Sequence, residues 1–420
     1  MRELASERSR EPARKSECRR AGAVDGYSMS SLPLVMGLLL LAYLGSFVAL
    51  GKGSFATSSN VGWIVLGFVL GPYVLNVVGE TLLEAATPVV TIAAGWVAFA
   101  TGVRVFGLED AGTWRTSALG VATGTMTALV ASVVVWFVLP LLFPAFAADS
   151  GPRFAVSVTA GAIASGSGRD LGATRADAPA SEKLLARIAR AEVVVPVLGS
   201  HVALAFVAKP SLGVLPLPFV VSFSLTLVLG PLLGALTVPL FGREFGLREG
   251  WGALFGMCAL AVGLSVRFGA SVVWVLFSLG ATLVRFSHHR DDIRAIVAPT
   301  ERSLLLPLLV VVGAKLDLGS PVVLVEAALA FVFVRVFMRI ALLSPVWGNG
   351  RARALGGLAA LPVTPLTLVI ALSANTRFPH GAGGLLAPLA VVLAAVGELV
   401  APLALRTLQK GSPRSIEARP

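Results

Sequence analysis

The stretch FAVSVTAGAIASGSGRDLGA, residues 154–173, starts as an apolar helix and dissolves into Ser165-Gly166-Ser167-Gly168. Glycine loosens a helix and leaves backbone carbonyls and amides without partners. A second run, LGGLAALPVTPLTLVIALSA, residues 355–374, carries Pro362 and Pro365, and each proline removes a backbone donor. Inside a bilayer such free groups are tolerated only where they are buried in protein or line a watery cavity. The reading of the chain therefore turns on whether these two runs lie in a membrane.

Composition answers this. Of the 420 residues, 56% are hydrophobic and 14% charged, and the mean hydropathy is +0.84, outside the range of a soluble globular chain. The apolar blocks run to about 16 to 30 residues, too long for the ten-residue alternating strands of a membrane barrel. The class is all-α and polytopic. Cys18 and Cys258, the only two cysteines, offer neither a disulfide framework nor a thiolate metal site. The net charge of +11 fits basic cytoplasmic loops, and no domain outside the membrane is large enough for nucleic acid.

Blocks set against polar connectors predict thirteen spans: 32–50, 61–79, 85–106, 115–144, 153–168, 184–208, 212–241, 250–266, 270–286, 296–316, 320–344, 354–374 and 383–405. An odd number of crossings puts the termini on opposite sides. With the C-terminus inside, the outer connectors hold Arg153, Lys209, Arg267, Lys315 and Arg377, Arg335 and Arg339 lie within a span, seven basic residues stand in the N-terminal tail, and the remaining 20 of 34 face inward. That bias predicts N-out and C-in. Residues 1–31 read as a polar tail without an apolar signal region, and Met29 is an alternative start. Residues 32–405 read as the membrane domain, and 406–420 as a short cytoplasmic tail too small for a core.

The broken runs are the fifth and twelfth spans. An offset of seven crossings makes them antiparallel, which matches the transporter plan of inverted repeats with paired broken helices crossing at the binding site. The other reading is that glycine and proline are simply common in membrane helices.

Three segments carry a resemblance. GWIVLGFVLGPYVL, residues 62–75, resembles the Gly-x-x-x-Gly-Pro signature of the monovalent cation:proton antiporters, in particular the branch of bacterial sodium/proton antiporters and potassium-efflux proteins. VAFATGVRVFGL, residues 97–108, is similar to that family's phenylalanine-rich segment, with Arg104 where an acid is usual. LLLPLLVVVGAKLDL, residues 304–318, resembles its Val-Gly-x-x-Leu-Asp-Leu span. The resemblance covers about residues 32–405. It implies the sodium/proton antiporter fold, with inverted repeats, two broken crossing helices, a second domain that mediates a homodimer, and alternating access.

In that family the sixth span carries an acidic pair, or an amide then an acid. The corresponding IARAEVVVPV, residues 188–197, puts Ala191 in the first place and Glu192 in the second. Counting from Leu184 at ~1.5 Å per residue sets Glu192 roughly 12 Å into a core of about 30 Å. A carboxylate there is suited to trading a proton for a cation, one for one, hence electroneutrally. The other reading starts the span later and lets Glu192 snorkel to the cytoplasmic surface with Arg187 and Arg190. The eleventh span, in the stretch VEAALAFVFVRVFMRIALLSP (residues 325–345), presents Arg335 and Arg339 on one face, and the resemblance implies that Arg339 pairs with the sixth-span acid. Because an arginine keeps its proton, such a pair opposes proton exchange.

Ser165, Ser167, Thr364 and Thr367 are candidate oxygen donors beside the broken helices, although such hydroxyls usually bond the preceding turn. His201 reads as a packed residue, and HHRDDIR, residues 288–294, as a solvated basic loop. Lys315 and Asp317 read as interfacial. Together these readings predict a secondary transporter of the inner (plasma) membrane that exchanges Na⁺ or K⁺ for protons, with Glu192 as the ion and proton carboxylate. No resident metal, cofactor or nucleic acid is expected. The alternatives are a transport-inactive binding or scaffold homologue, suggested by Ala191, Arg104 and the lack of a glycine-rich break at LPVTPL, and an organic-anion carrier using Arg335 and Arg339. An enzyme is not expected, since no paired acids, His-Glu motif or Ser/His/Asp set falls at membrane depth.

Overall fold

The computed structural model describes residues 60–107, 114–144, 146, 150–168, 180–207, 211–212, 215–216, 219–242, 247–316, 321–343, 350–378 and 382–411. The N-terminal tail, Met29, Cys18 and the span expected at 32–50 lie outside the described residues, as do Asp317 and most of the C-terminal tail.

The described chain is helical: α1 Asn60–Leu70, α2 Glu80–Ala85, α3 Thr87–Gly107, α4 Trp114–Leu142, α5 Ser150–Ser165, α6 Ala180–Glu192, α7 Val194–Val207, α8 Phe219–Thr237, α9 Leu247–Arg267, α10 Val272–Phe286, α11 Arg290–Ala314, α12 Pro321–Leu343, α13 Gly350–Ala359, α14 Pro365–Arg377 and α15 Ala382–Gly411. The one sheet among the described residues is a two-strand ladder pairing Ser211 with Pro216 and Leu212 with Leu215. Seven stretches are long and apolar enough to cross a membrane by length and composition, and Asn60–Leu70, Val272–Phe286 and Pro365–Asn375 are shorter apolar helices. This is a multi-pass membrane protein.

Packing sorts the helices into two bundles. The first joins α1, α3, α8, α9, α10 and α11; the second joins α4, α5, α6, α7, α12, α13, α14 and α15. They meet along a seam where α7 lies on α10, α14 on α3 and α11, and α15 on α1. Within the first bundle, glycines allow helix backbones to touch. A Cβ on Gly67 would stand 2.0 Å from the Val310 carbonyl oxygen, and one on Gly313 would stand 1.9 Å from that of Ile64. The Gly-x-x-x-Gly of the second predicted span is thus a close-packing device.

Several boundaries differ from the sequence reading, among them the last span, which runs on as helix to Gly411 instead of ending at 405. The span expected at 61–79 stops at Leu70, because Gly71-Pro72 opens a turn in which Asn76 takes a left-handed φ of 50°. The one expected at 212–241 becomes helical only at Phe219. α11 begins at Arg290, six residues before the expected 296, so the loop reading of residues 288–294 holds only as far as His289. Asp291 and Asp292 in its first turn complement the positive end of the helix dipole. The sixth span is two helices, with a turn at Val193 and Pro196 in the first turn of α7.

Candidate functional site

The fifth and twelfth spans break where the sequence places their glycines and prolines. α5 ends at Ser165 and residues 166–168 run without helix; α13 ends at Ala359, residues 361–364 have no regular structure, and α14 restarts at Pro365. Thr364 caps α14 by accepting the Thr367 amide at 3.2 Å. The two breaks cross in contact: the Gly168 amide donates to the Pro362 carbonyl at 2.7 Å, and Ser167 Oγ lies 3.3 Å from the Ala360 carbonyl. Only glycine fits here, since a Cβ on Gly168 would stand 2.2 Å from the Thr364 nitrogen.

The crossing exposes carbonyls at the ends of α5 and α13, and α12 answers them. Arg335, 1% exposed, donates through Nη2 to Gly166 at 2.8 Å, Leu361 at 2.8 Å and Pro362 at 3.2 Å, and through Nη1 to Ala164. One turn on, Arg339 donates through Nη2 to the Ser165 carbonyl at 2.6 Å and through Nη1 to Glu192 Oε1. The two guanidiniums and one carboxylate leave an excess of one positive charge. Two helix C-terminal ends at roughly −0.5 each offset it.

Glu192 is 0% exposed and ends α6, so the reading in which it snorkels to the cytoplasmic surface is corrected. α6 begins at Ala180 and carries the residue inward, while Arg187 and Arg190 stay half-buried on the same helix. Thr123 Oγ1 of α4 lies 2.5 Å from Glu192 Oε1 and 3.0 Å from the Gly120 carbonyl. Glu192 Oε2 is buried and has no hydrogen-bond partner among the described residues. A carboxylate with one oxygen tied down and the other free can take a proton or a cation at the second oxygen.

The structure therefore brings together Glu192, Arg335, Arg339, Ser165, Ser167, Thr364 and Thr367. Ser165, Thr364 and Thr367 spend their hydroxyls locally, as such groups usually do. Ser165 Oγ bonds its own turn, at Ala162, and contributes its carbonyl instead. Thr364 and Thr367 bond each other at 2.9 Å. Thr123 went unremarked in the sequence, although Thr123 and Thr127 in the apolar α4, both buried, were the available signal. Arg104, the residue that stands where an acid is usual, pairs with Glu301 of α11 within the first bundle.

A seam between two helix bundles, one of which holds paired broken helices, matches the transporter plan in which discontinuous helices meet at a central site. The structure is similar to that of the sodium proton antiporter MjNhaP1 from Methanocaldococcus jannaschii, both as determined at pH 8 (TM-score 0.65) and in its electron-microscopy map (TM-score 0.63). Each match is 17% identical and covers 91% of this chain and 100% of the other. The sequence matches no family model and no curated protein.

Proposed function

We propose that the chain is a secondary transporter that exchanges a monovalent cation, Na⁺ or K⁺, for protons by alternating access, with Glu192 as the carboxylate that binds either. The observation that supports this most is the unpartnered Oε2 of a fully buried carboxylate at the crossing of two broken helices. Arg339 keeps its charge throughout, so the empty site is a neutral ion pair. Loading with either H⁺ or a monovalent cation adds one positive charge. Both loaded forms then carry the same charge, and exchange is one for one and electroneutral. The reading includes a homodimer in the inner membrane, N-terminus out and C-terminus in, with lipid against exposed side chains such as Val133, Phe137 and Leu141 of α4. It assigns the chain no enzymatic step.

A transport-inactive binding homologue is favoured by one observation. Glu192 Oε1 is already held by Arg339 and Thr123, and Ala191 supplies no second acid. The anion-carrier reading fares worse, because the terminal nitrogens of both arginines are engaged by carbonyls and by Glu192.

Inside-out vesicles holding an acid interior, challenged with Na⁺, Li⁺ and K⁺, test the proposal. Cation-driven alkalinisation that Glu192→Gln abolishes is the expected result. Failure of the wild type with every cation from mildly acidic to alkaline pH would leave the inactive reading standing.

A further inference from the structure

His201 lies on α7 where the second bundle meets the first, past the turn at Val193 and about 10 Å along the helix from Val194 at 1.5 Å per residue. It is 1% exposed. Its ring stacks on Trp274 of α10, centroids 5.5 Å apart, and leans on Phe223 of α8 at 5.1 Å. Trp274 is itself fixed by a 3.0 Å hydrogen bond from its indole nitrogen to the Leu227 carbonyl. Both imidazole nitrogens are buried with no hydrogen-bond partner among the described residues. A buried donor or acceptor without a partner is costly, and a native structure that keeps one calls for a reason. Elsewhere in the contact region of α7, Thr159 of α5, Ser200 of α7, Ser271 of α10 and Ser373 of α14 line a small pocket that the ring itself does not line.

We infer that His201 is a second proton-binding site, outside the Glu192 crossing, and that its protonation parts the α7–α10 seam. A neutral imidazole can stay parked between two rings. Once protonated it carries a charge and two donors, with no acceptor where it sits. Attraction between a cation and the rings offsets only part of this. Nor is a counter-charge at hand: none of α4, α5, α7, α8, α10 or α14 carries a carboxylate, and Glu192 on α6 is engaged by Arg339.

The charges that these helices do bring are positive. α5 supplies Arg153, bound to the Trp136 carbonyl at 2.8 Å and 2.6 Å. α14 supplies Arg377, bound to the Ala270 carbonyl at 2.9 Å, one residue before Ser271. α4 has only Arg115 and α10 only Arg285, each at the helix end remote from the ring's partners, and α8 has no titratable side chain. Protonation is relieved when the seam opens, because entering water then supplies acceptors. The neutral ring holds the seam shut; the protonated ring favours the open form.

Hydrogen exchange followed by mass spectrometry on the full chain in lipid nanodiscs tests this without any transport assay, so its outcome is separate from that of the antiport proposal. After correction for the intrinsic rate, exchange in peptides covering α7 and the first half of α10 should rise several-fold between pH 8 and pH 5 in the wild type. It should stay flat in both His201→Phe and His201→Gln; the amide variant retains a polar side chain should the aromatic one fail to fold. Ring-carbon labelling of the four histidines should show one signal, missing in either variant, that titrates together with the exchange. A flat wild type, a rise shared by the variants, or a His201 signal that titrates while the seam stays closed would overturn the inference.

Discussion

Gly166 faces Thr367 across the crossed breaks so closely that a Cβ on Gly166 would stand 2.2 Å from the threonine Oγ1, with the next atoms of that side chain at 3.4 Å and 3.5 Å. The contact sets how near α5 can approach α14. Gly166→Ala should destabilise the protein by about 1–3 kcal/mol, the usual range for overpacking. In Gly166→Ala/Thr367→Ala the offending oxygen is gone, and the double variant should be more stable than the sum of the two single losses allows. Thermal unfolding in detergent with a thiol-independent dye measures all three. Strict additivity would mean that the two positions do not press on one another.

Arg335 should not tolerate lysine. Its two terminal nitrogens serve carbonyls on both sides of the crossing, at Ala164, Gly166, Leu361 and Pro362, and a single ammonium cannot reproduce that spread. Orphaning two buried carbonyls at about 1–3 kcal/mol each predicts a loss near 2–6 kcal/mol for Arg335→Lys. Size-exclusion of a fluorescent fusion should show a sharp fall in folded yield, and a monodisperse Arg335→Lys with wild-type melting would contradict the geometry.

Glu192 and Arg339 should behave as one unit. Removing either partner of a buried pair leaves an uncompensated charge and costs about 3–5 kcal/mol, so Glu192→Gln and Arg339→Gln should each melt well below the wild type. Glu192→Gln/Arg339→Gln, which leaves no buried charge at either position, should recover a large part of that loss. A double variant as unstable as the two losses added together would show that the pair is not coupled.

One-for-one exchange moves no net charge. In vesicles clamped with valinomycin and potassium, the Na⁺-driven rate should therefore be the same at zero potential and at about 100 mV. A net charge of one would feel about 2.3 kcal/mol across that potential, so a rate that follows voltage would exclude this stoichiometry.

Much of the crossing was readable because its chemistry is local. Ser165 to Gly168 and Pro362 with Pro365 announce broken helices in any apolar run, and the breaks fall there. The Glu192–Arg339 pair needed family resemblance to suggest it, since 147 residues separate the partners and no spacing rule spans that distance. Thr123 was missed for a related reason. A threonine in an apolar helix mostly bonds its own preceding turn, and its contact with Glu192 exists only once α4 and α6 are packed. The break at Val193 was hidden because an unbroken apolar run reads as one helix, even with Pro196 inside it. Arg335 was noticed as a supporting charge, and as an anion ligand only in one alternative reading; the carbonyls that occupy it become visible only when both breaks are placed in space.

The carbonyl of Ala164 precedes the arginine that satisfies it by 171 residues. At about 5–20 residues per second on the ribosome, that donor is made roughly 10 to 30 s later. During that interval the end of α5 must keep water, or the insertion machinery, at its exposed backbone. The first half of the chain thus enters the membrane unfinished, and a nascent chain released before α12 is made would hold a membrane helix that has no way to close its own end.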